Sequence, residues 1–326
     1  MKKILISIFS IILAVTLTAC GSANNSSNNK DLKKVDFVLD WAVNTNHTGL
    51  YVAKEKGYFA EEGIDLDIKP APEDSTSDLV INNKAPFGIY YQDTMASKLS
   101  KGAGITAVAA IIEHNTSGII SPKKNNITDP KALEGKKYGT WNDPVELAMI
   151  KSLVEKQGGD YNKIELVPNS DSNSITPLEN GVFDAAWIYY AWDGKLAERN
   201  FFYLRDFDKK LDYYSPVIIA NNDYLKNNKE EAQKVLRAIK KGYVYAIEHP
   251  EEAADILIKN APELKEKRDF VVASQKYISQ QYASNKEHWG EFDAERWNAF
   301  YRWVNENKII EKPLADNTGF SNDYIK

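Results

Sequence analysis

Residues 35–68, VDFVLDWAVNTNHTGLYVAKEKGYFAEEGIDLDI, carry the reading that decides the fold. Val35 to Leu39 alternates as a strand does, and Gly49 to Lys56 has the spacing of a helix that Gly57 stops. Tyr58 to Gly63 then leads to a second alternating run, Ile64 to Ile68. Strand, helix and strand in that order predict a parallel pair with its crossover packed on one face.

The pattern continues outward. Asp78 to Asn83 suits a short helix, Phe87 to Tyr90 a buried strand, Thr94 to Lys101 a helix, and Ile105 to Glu113 a central strand. A second set follows on a smaller scale: Lys136 to Trp141, a helix over Val145 to Gln157, a strand at Ile164 to Val167, a short helix over Ser174 to Asn180, and a strand within Phe183 to Tyr189. Val217 to Ala220 reads as a strand returning to the first set, and the remainder is mostly helical, with Val235, Leu236, Ile239, Tyr243 and Ile247 at helical spacing. The expected class is α/β, in two lobes, the first built from both ends of the chain. Lobe I takes residues 35–121 and 217–326, and lobe II takes 122–216.

The amino terminus is of another kind. Lys2 and Lys3 precede an apolar run from Ile4 to Val15, and Leu17-Thr18-Ala19-Cys20-Gly21 places small residues at a cleavage point, which is the anatomy of a secretion signal over residues 1–19. The run is shorter than the roughly 20 apolar residues of a membrane span. Cys20 is the one cysteine in 326 residues, so no internal disulfide can form. Residues 20–34 open with GSANNSSNN after the cysteine, a polar tether with nothing to bury. Cleavage ahead of Cys20 removes two lysines from a chain of formal charge −5 and leaves an acidic body, which excludes nucleic acid as an expected partner.

Two resemblances add to this. Residues 17–21 resemble the bacterial lipoprotein signal, which implies lipidation of Cys20 and attachment to the extracytoplasmic face of the cell membrane. Asp40 to Ala53, with Lys56-Gly57-Tyr58-Phe59 and Glu62-Gly63-Ile64, resembles the amino-terminal signature of the thiamine-pyrimidine-precursor proteins. That resemblance implies the type II periplasmic-binding-protein fold, two lobes joined by a hinge with the ligand cleft between them. It also implies a monomeric solute-binding lipoprotein that passes a small aminopyrimidine such as formylaminopyrimidine to the permease subunits of an ABC transporter. Binders of sulfonates, of taurine-like or riboflavin-like solutes share parts of the signature. The fungal pyrimidine synthase shares it too, using a lysine for pyridoxal phosphate and a histidine of its own chain. Here a tyrosine stands where the lysine aligns, and Phe87 to Leu99 contains no histidine. No cofactor, metal or catalytic residue is expected, since the nucleotide, zinc and redox motifs are missing from the sequence.

A flat ring with a donor amine and acceptor nitrogens needs aromatic walls and a few placed polar groups. Trp41 offers a stacking face, with Asp40 beside it as acceptor and Asn44 in the same loop; His47 reads first as a hydrogen-bonded structural residue and second as a contact. Tyr90-Tyr91-Gln92-Asp93 ends a strand, which favours Tyr90 and Gln92 as contacts. Trp141, Asn142 and Asp143 precede a helix, with Asp143 also reading as its N-cap and Pro144 as N1. The resemblance places an acidic or polar contact after Tyr189, where Tyr190 aligns and Asp193 can supply charge. Trp289, Trp297 and Trp303 read as core.

Overall fold

In the computed structural model, residues 32–72, 75–169, 174–193 and 199–326 are described. They form two five-stranded sheets. The first has the order β2-β1-β3-β10-β4 and is made from β1 (Lys33–Val38), β2 (Ile64–Lys69), β3 (Phe87–Tyr90), β4 (Ile105–Ala110) and β10 (Val217–Asn221). β1 lies parallel to β2, with Val35 opposite Leu66 and Phe37 opposite Ile68, and parallel to β3. β10 runs antiparallel between β3 and β4. The second sheet has the order β7-β6-β8-β5-β9, from β5 (Ser117–Pro122), β6 (Lys137–Thr140), β7 (Glu165–Pro168), β8 (Ala185–Tyr189) and β9 (Arg199–Tyr203). Here β5 is the antiparallel member, paired with β8 and β9.

This topology corrects the expected lobe boundary. β5 belongs to the second sheet, so the first crossing between lobes lies at residues 111–116 and not at 121, and the second lies at 204–216. The strand expected over Ile105 to Glu113 ends at Ala110 for the same reason, because the chain must turn out of the first sheet there. Gly118 allows β9 to close on β5: a Cβ at that position would sit 2.2 Å from the carbonyl oxygen of Phe202.

The helix Thr48–Glu55 packs against the long helix Lys229–Glu248 through two glycines. A Cβ on Gly242 would lie 2.0 Å from the Gly49 carbonyl oxygen, and one on Gly49 would enter the Tyr243 ring at 2.3 Å. That close approach lets the Tyr243 hydroxyl donate to the Asn46 carbonyl at 2.6 Å, fixing the loop after β1. Trp289 stacks on Tyr243 at 4.3 Å between ring centres, and Trp289, Trp297 and Trp303 are all buried in the core. One apolar cluster joins Tyr138 and Trp187 of the second lobe to Val217, Ile219 and Trp297 of the first. Among the described residues no helix is long and apolar enough to cross a membrane. Cys20 lies outside the described residues.

Candidate functional site

Parallel strands end with their side chains and the following helix starts gathered at one edge, and ligands collect there in open α/β sheets. Trp41 follows β1 and Trp141 follows β6, one in each lobe. They are 49% and 45% exposed in a protein whose other tryptophans are largely covered. A half-exposed indole leaves apolar surface in water, so each gains by covering with a flat partner.

Each wall is braced from behind. Trp141 rests on the buried Trp187 of β8, with ring centres 6.2 Å apart. Its backbone amide donates to Glu146 Oε2 at 3.1 Å, and the same buried carboxyl receives Tyr138 at 2.8 Å and Thr140 at 2.9 Å. Burial pushes the Glu146 carboxyl above its ordinary range against the pull of these bonds. Asn142 takes the left-handed conformation at φ 60°, which asparagine tolerates, and its amide donates to Thr140 Oγ1 at 2.9 Å. Asp143 caps the helix Pro144–Lys156 through Oδ1, receiving Val145 and Glu146 amides at 2.8 and 3.2 Å.

In the first lobe the loop is held by Asp40. Its Oδ1 lies 2.8 Å from His47 Nε2 and its Oδ2 receives the Tyr91 hydroxyl. His47 Nδ1 accepts the Asn44 amide at 3.2 Å, so it carries no hydrogen and Nε2 is the donor to Asp40. Burial raises the Asp40 carboxyl, but the bonds from His47 and Tyr91 prevail and hold it below its usual value. Asp40 is therefore the anchor of the loop and has no oxygen turned to a ligand alone. Asn44 is corrected in the same way. It is buried, its Oδ1 receives the Asn46 amide at 2.9 Å, and its Nδ2 donates to the Ala42 carbonyl at 3.0 Å.

Gln92 is also internal rather than a contact. Its Nε2 donates to the Trp297 carbonyl at 3.0 Å and its Oε1 receives the Tyr214 amide at 2.8 Å, tying β3 to the second crossing and to the helix Ala294–Glu306. Tyr90 is half-buried beside Tyr91, ring centres 5.8 Å apart. Its neighbour Asp93, absent from the expected contacts, stands in the first turn of the helix Gln92–Ser100. The Asp93 carboxyl receives the Tyr213 hydroxyl at 3.2 Å. Burial, reinforced by the negative charge of Asp143 in the other lobe, raises it to about 6. Carboxyls from opposite lobes thus lie near enough for the charge of one to act on the other.

Tyr190 follows β8 and opens the helix Tyr190–Asp193. Its ring packs 4.6 Å from Tyr277, 5.0 Å from Phe201 and 5.8 Å from Tyr203, in a cluster that bridges the lobes. Trp192 meets Phe270 edge to face at 5.2 Å in the same bridge. A cavity of about 180 Å³ lies between Tyr190, Ser274 and Tyr277. The Asp193 side chain lies outside the described residues. A larger groove, about 400 Å³, opens among Lys33, Glu62 and Lys234 at the amino end of β1, away from the strand ends that bear the tryptophans. Among the described residues no three His, Cys, Asp or Glu side chains gather as metal ligands do.

The profile of the "NMT1/THI5 like" family matches residues 44–253. The formylaminopyrimidine-binding protein of Halalkalibacterium halodurans is 27% identical over 96% of this chain and 97% of its own. A 4-amino-5-hydroxymethyl-2-methylpyrimidine phosphate synthase of Saccharomyces cerevisiae is 28% identical over 71% of this chain and 72% of its own. Among solved structures, the periplasmic sulfonate-binding protein of a sulfonate ABC transporter from Methylobacillus flagellatus superposes with a TM-score of 0.64 at 15% identity, over 90% of this chain and 93% of that one. Likeness at that identity shows the fold alone: two lobes of the periplasmic-binding-protein type.

Proposed function

The chain belongs to the NMT1/THI5-like family, and from that premise we propose that it is a solute receptor that captures a thiamine pyrimidine precursor such as formylaminopyrimidine. The observation that carries the reading is the pair of half-exposed tryptophans, Trp41 and Trp141, at the strand ends of opposite lobes, where Asp93 and Asp143 also feel each other's charge. A planar heteroaromatic ring covers both indoles, and each stacked face contributes about 0.5–1.5 kcal/mol beyond the area buried. Bridging the lobes favours the closed arrangement to the extent that the ligand binds it more tightly than the open one.

A sulfonate fits this site poorly, since an anion near Asp93 and Asp143 meets two carboxyls. The synthase relatives supply the enzymatic alternative. The binder is preferred because a tyrosine stands where the resemblance aligns a lysine, and because residues 87–99 contain no histidine. The remainder of the proposal concerns address: lipidation at Cys20 tethers the receptor to the outer face of the cell membrane, where it delivers its ligand to an ABC permease.

Titration calorimetry with formylaminopyrimidine, hydroxymethylpyrimidine, thiamine and taurine tests the ligand. Saturable binding of a pyrimidine with taurine silent is the expected result; the reverse overturns the reading. Labelled palmitate should enter the chain in its bacterial host and be lost on Cys20→Ser, and equal labelling of that variant removes the anchor.

A further inference from the structure

The polar side chains at the strand ends differ in how far their atoms are committed. Asp40 holds His47 and Tyr91, Gln92 holds Tyr214 and the Trp297 carbonyl, and Asn44 and Asp143 cap helices. Asp93 keeps only a 3.2 Å bond from Tyr213 and a 2.9 Å bond from the adjoining Thr94 amide. It is half-buried at the strand end, and the groups that act on it or feel it come from every side. They are Tyr91 before it, Asp143 from the second lobe, Tyr213 from the crossing and Tyr301 from the helix Ala294–Glu306. None of these four is a cation, so its charge is opposed rather than neutralised.

A 4-aminopyrimidine presents an amine that donates beside a ring nitrogen that accepts. A carboxylic acid is complementary to that edge, its carbonyl accepting from the amine and its hydroxyl donating to the nitrogen. A carboxylate facing the neutral ring has two acceptors, and one of them opposes the nitrogen lone pair. We propose that Asp93 reads the amine and ring-nitrogen edge of the ligand as a carboxylic acid, so that capture takes up one proton from solvent. The inference deepens the aminopyrimidine reading and rests on it. No covalent bond forms or breaks. The proton comes from water or buffer, lies in the bond between carboxyl and ring nitrogen, and returns to solvent when the ligand leaves. Burial and Asp143 raise Asp93 to about 6, so this uptake costs less at neutral pH than it would for an ordinary carboxyl.

The test is calorimetry on the full chain in detergent, titrating formylaminopyrimidine at pH about 7.5 in buffers of different ionisation enthalpy. The wild type should take up close to one proton per ligand, and its affinity should fall toward tenfold per pH unit above neutrality. Asp93→Asn retains an acceptor and a donor but cannot titrate, so it should bind with no proton uptake and with affinity level in pH. Asp93→Leu should lose more than tenfold in affinity. Wild-type binding without proton uptake, or an Asn variant with undiminished pH dependence, overturns the inference and leaves the ligand assignment standing. Silence toward every pyrimidine overturns the assignment, and this inference with it.

Discussion

The hydroxyls of Tyr203 and Tyr277 lie 2.8 Å apart, although Tyr203 ends β9 in the second lobe and Tyr277 belongs to the helix Arg268–Tyr282 of the first. One hydrogen bond therefore spans the lobes beside the cleft, backed by the Tyr190 ring at 4.6 Å from Tyr277. Tyr277→Phe should remove the bond and keep the ring contact. A hydrogen bond of this kind is worth about 0.5–1.5 kcal/mol, so ligand affinity should weaken by roughly two- to twelvefold, read by calorimetry. An unchanged affinity would mean that the bond is equally made in the open state.

The two exposed indoles should separate from the buried one in a stability measurement. Trp41→Ala and Trp141→Ala each remove a wall that little else covers, so each should weaken ligand binding by at least about tenfold with little change in melting temperature. Trp187→Ala empties the packed space behind Trp141 and should cost about 3–5 kcal/mol in denaturant unfolding.

Asp40→Ala strands His47 Nε2 and the Tyr91 hydroxyl in the interior. A loss of about 2–4 kcal/mol is expected, measured by urea unfolding. Because the Asp40 carboxyl is held below its ordinary value of 3.8, its stabilising contribution is complete above that pH and disappears as acid carries the solution down through the folded-state value.

Asp93 acts with the opposite sign. Its folded value of about 6 lies above the ordinary 3.8, so between those pH values the folded protein binds a proton that the unfolded chain does not. The unliganded protein should melt at a higher temperature at pH about 5 than at pH about 7, and Asp93→Asn should flatten that difference. Glu146, also raised by burial, contributes in the same direction and accounts for what remains.

Much of the fold is legible where a segment answers to its own period. β1, the helix Thr48–Glu55 and β2 follow from alternation, from helical spacing and from Gly57, which adopts φ 78° at the turn. β5 and β9 receive no assignment from sequence, since SGIISP and RNFFY acquire their identity only from each other and from β8. The site divides similarly. Tryptophans placed just after strands announce exposed walls. Gln92 looks like a contact because its partners lie more than a hundred positions away, whereas Asn44 is satisfied within its own loop by Ala42 and Asn46. Asp93 stands beside Gln92 in the same cluster, and what distinguishes it is the nearness of Asp143, a fact of the assembled cleft.

The place of β10 also sets an order of assembly. It lies between β3 and β4, yet it is made only after β5 to β9. A growing chain can therefore complete its second sheet while the first still holds two strands, β3 and β4, with no partner between them. Their unpaired backbone groups are an exposed edge until residue 217 arrives. Truncation between β9 and β10 should then yield a complete second sheet attached to an adhesive, unfinished first one.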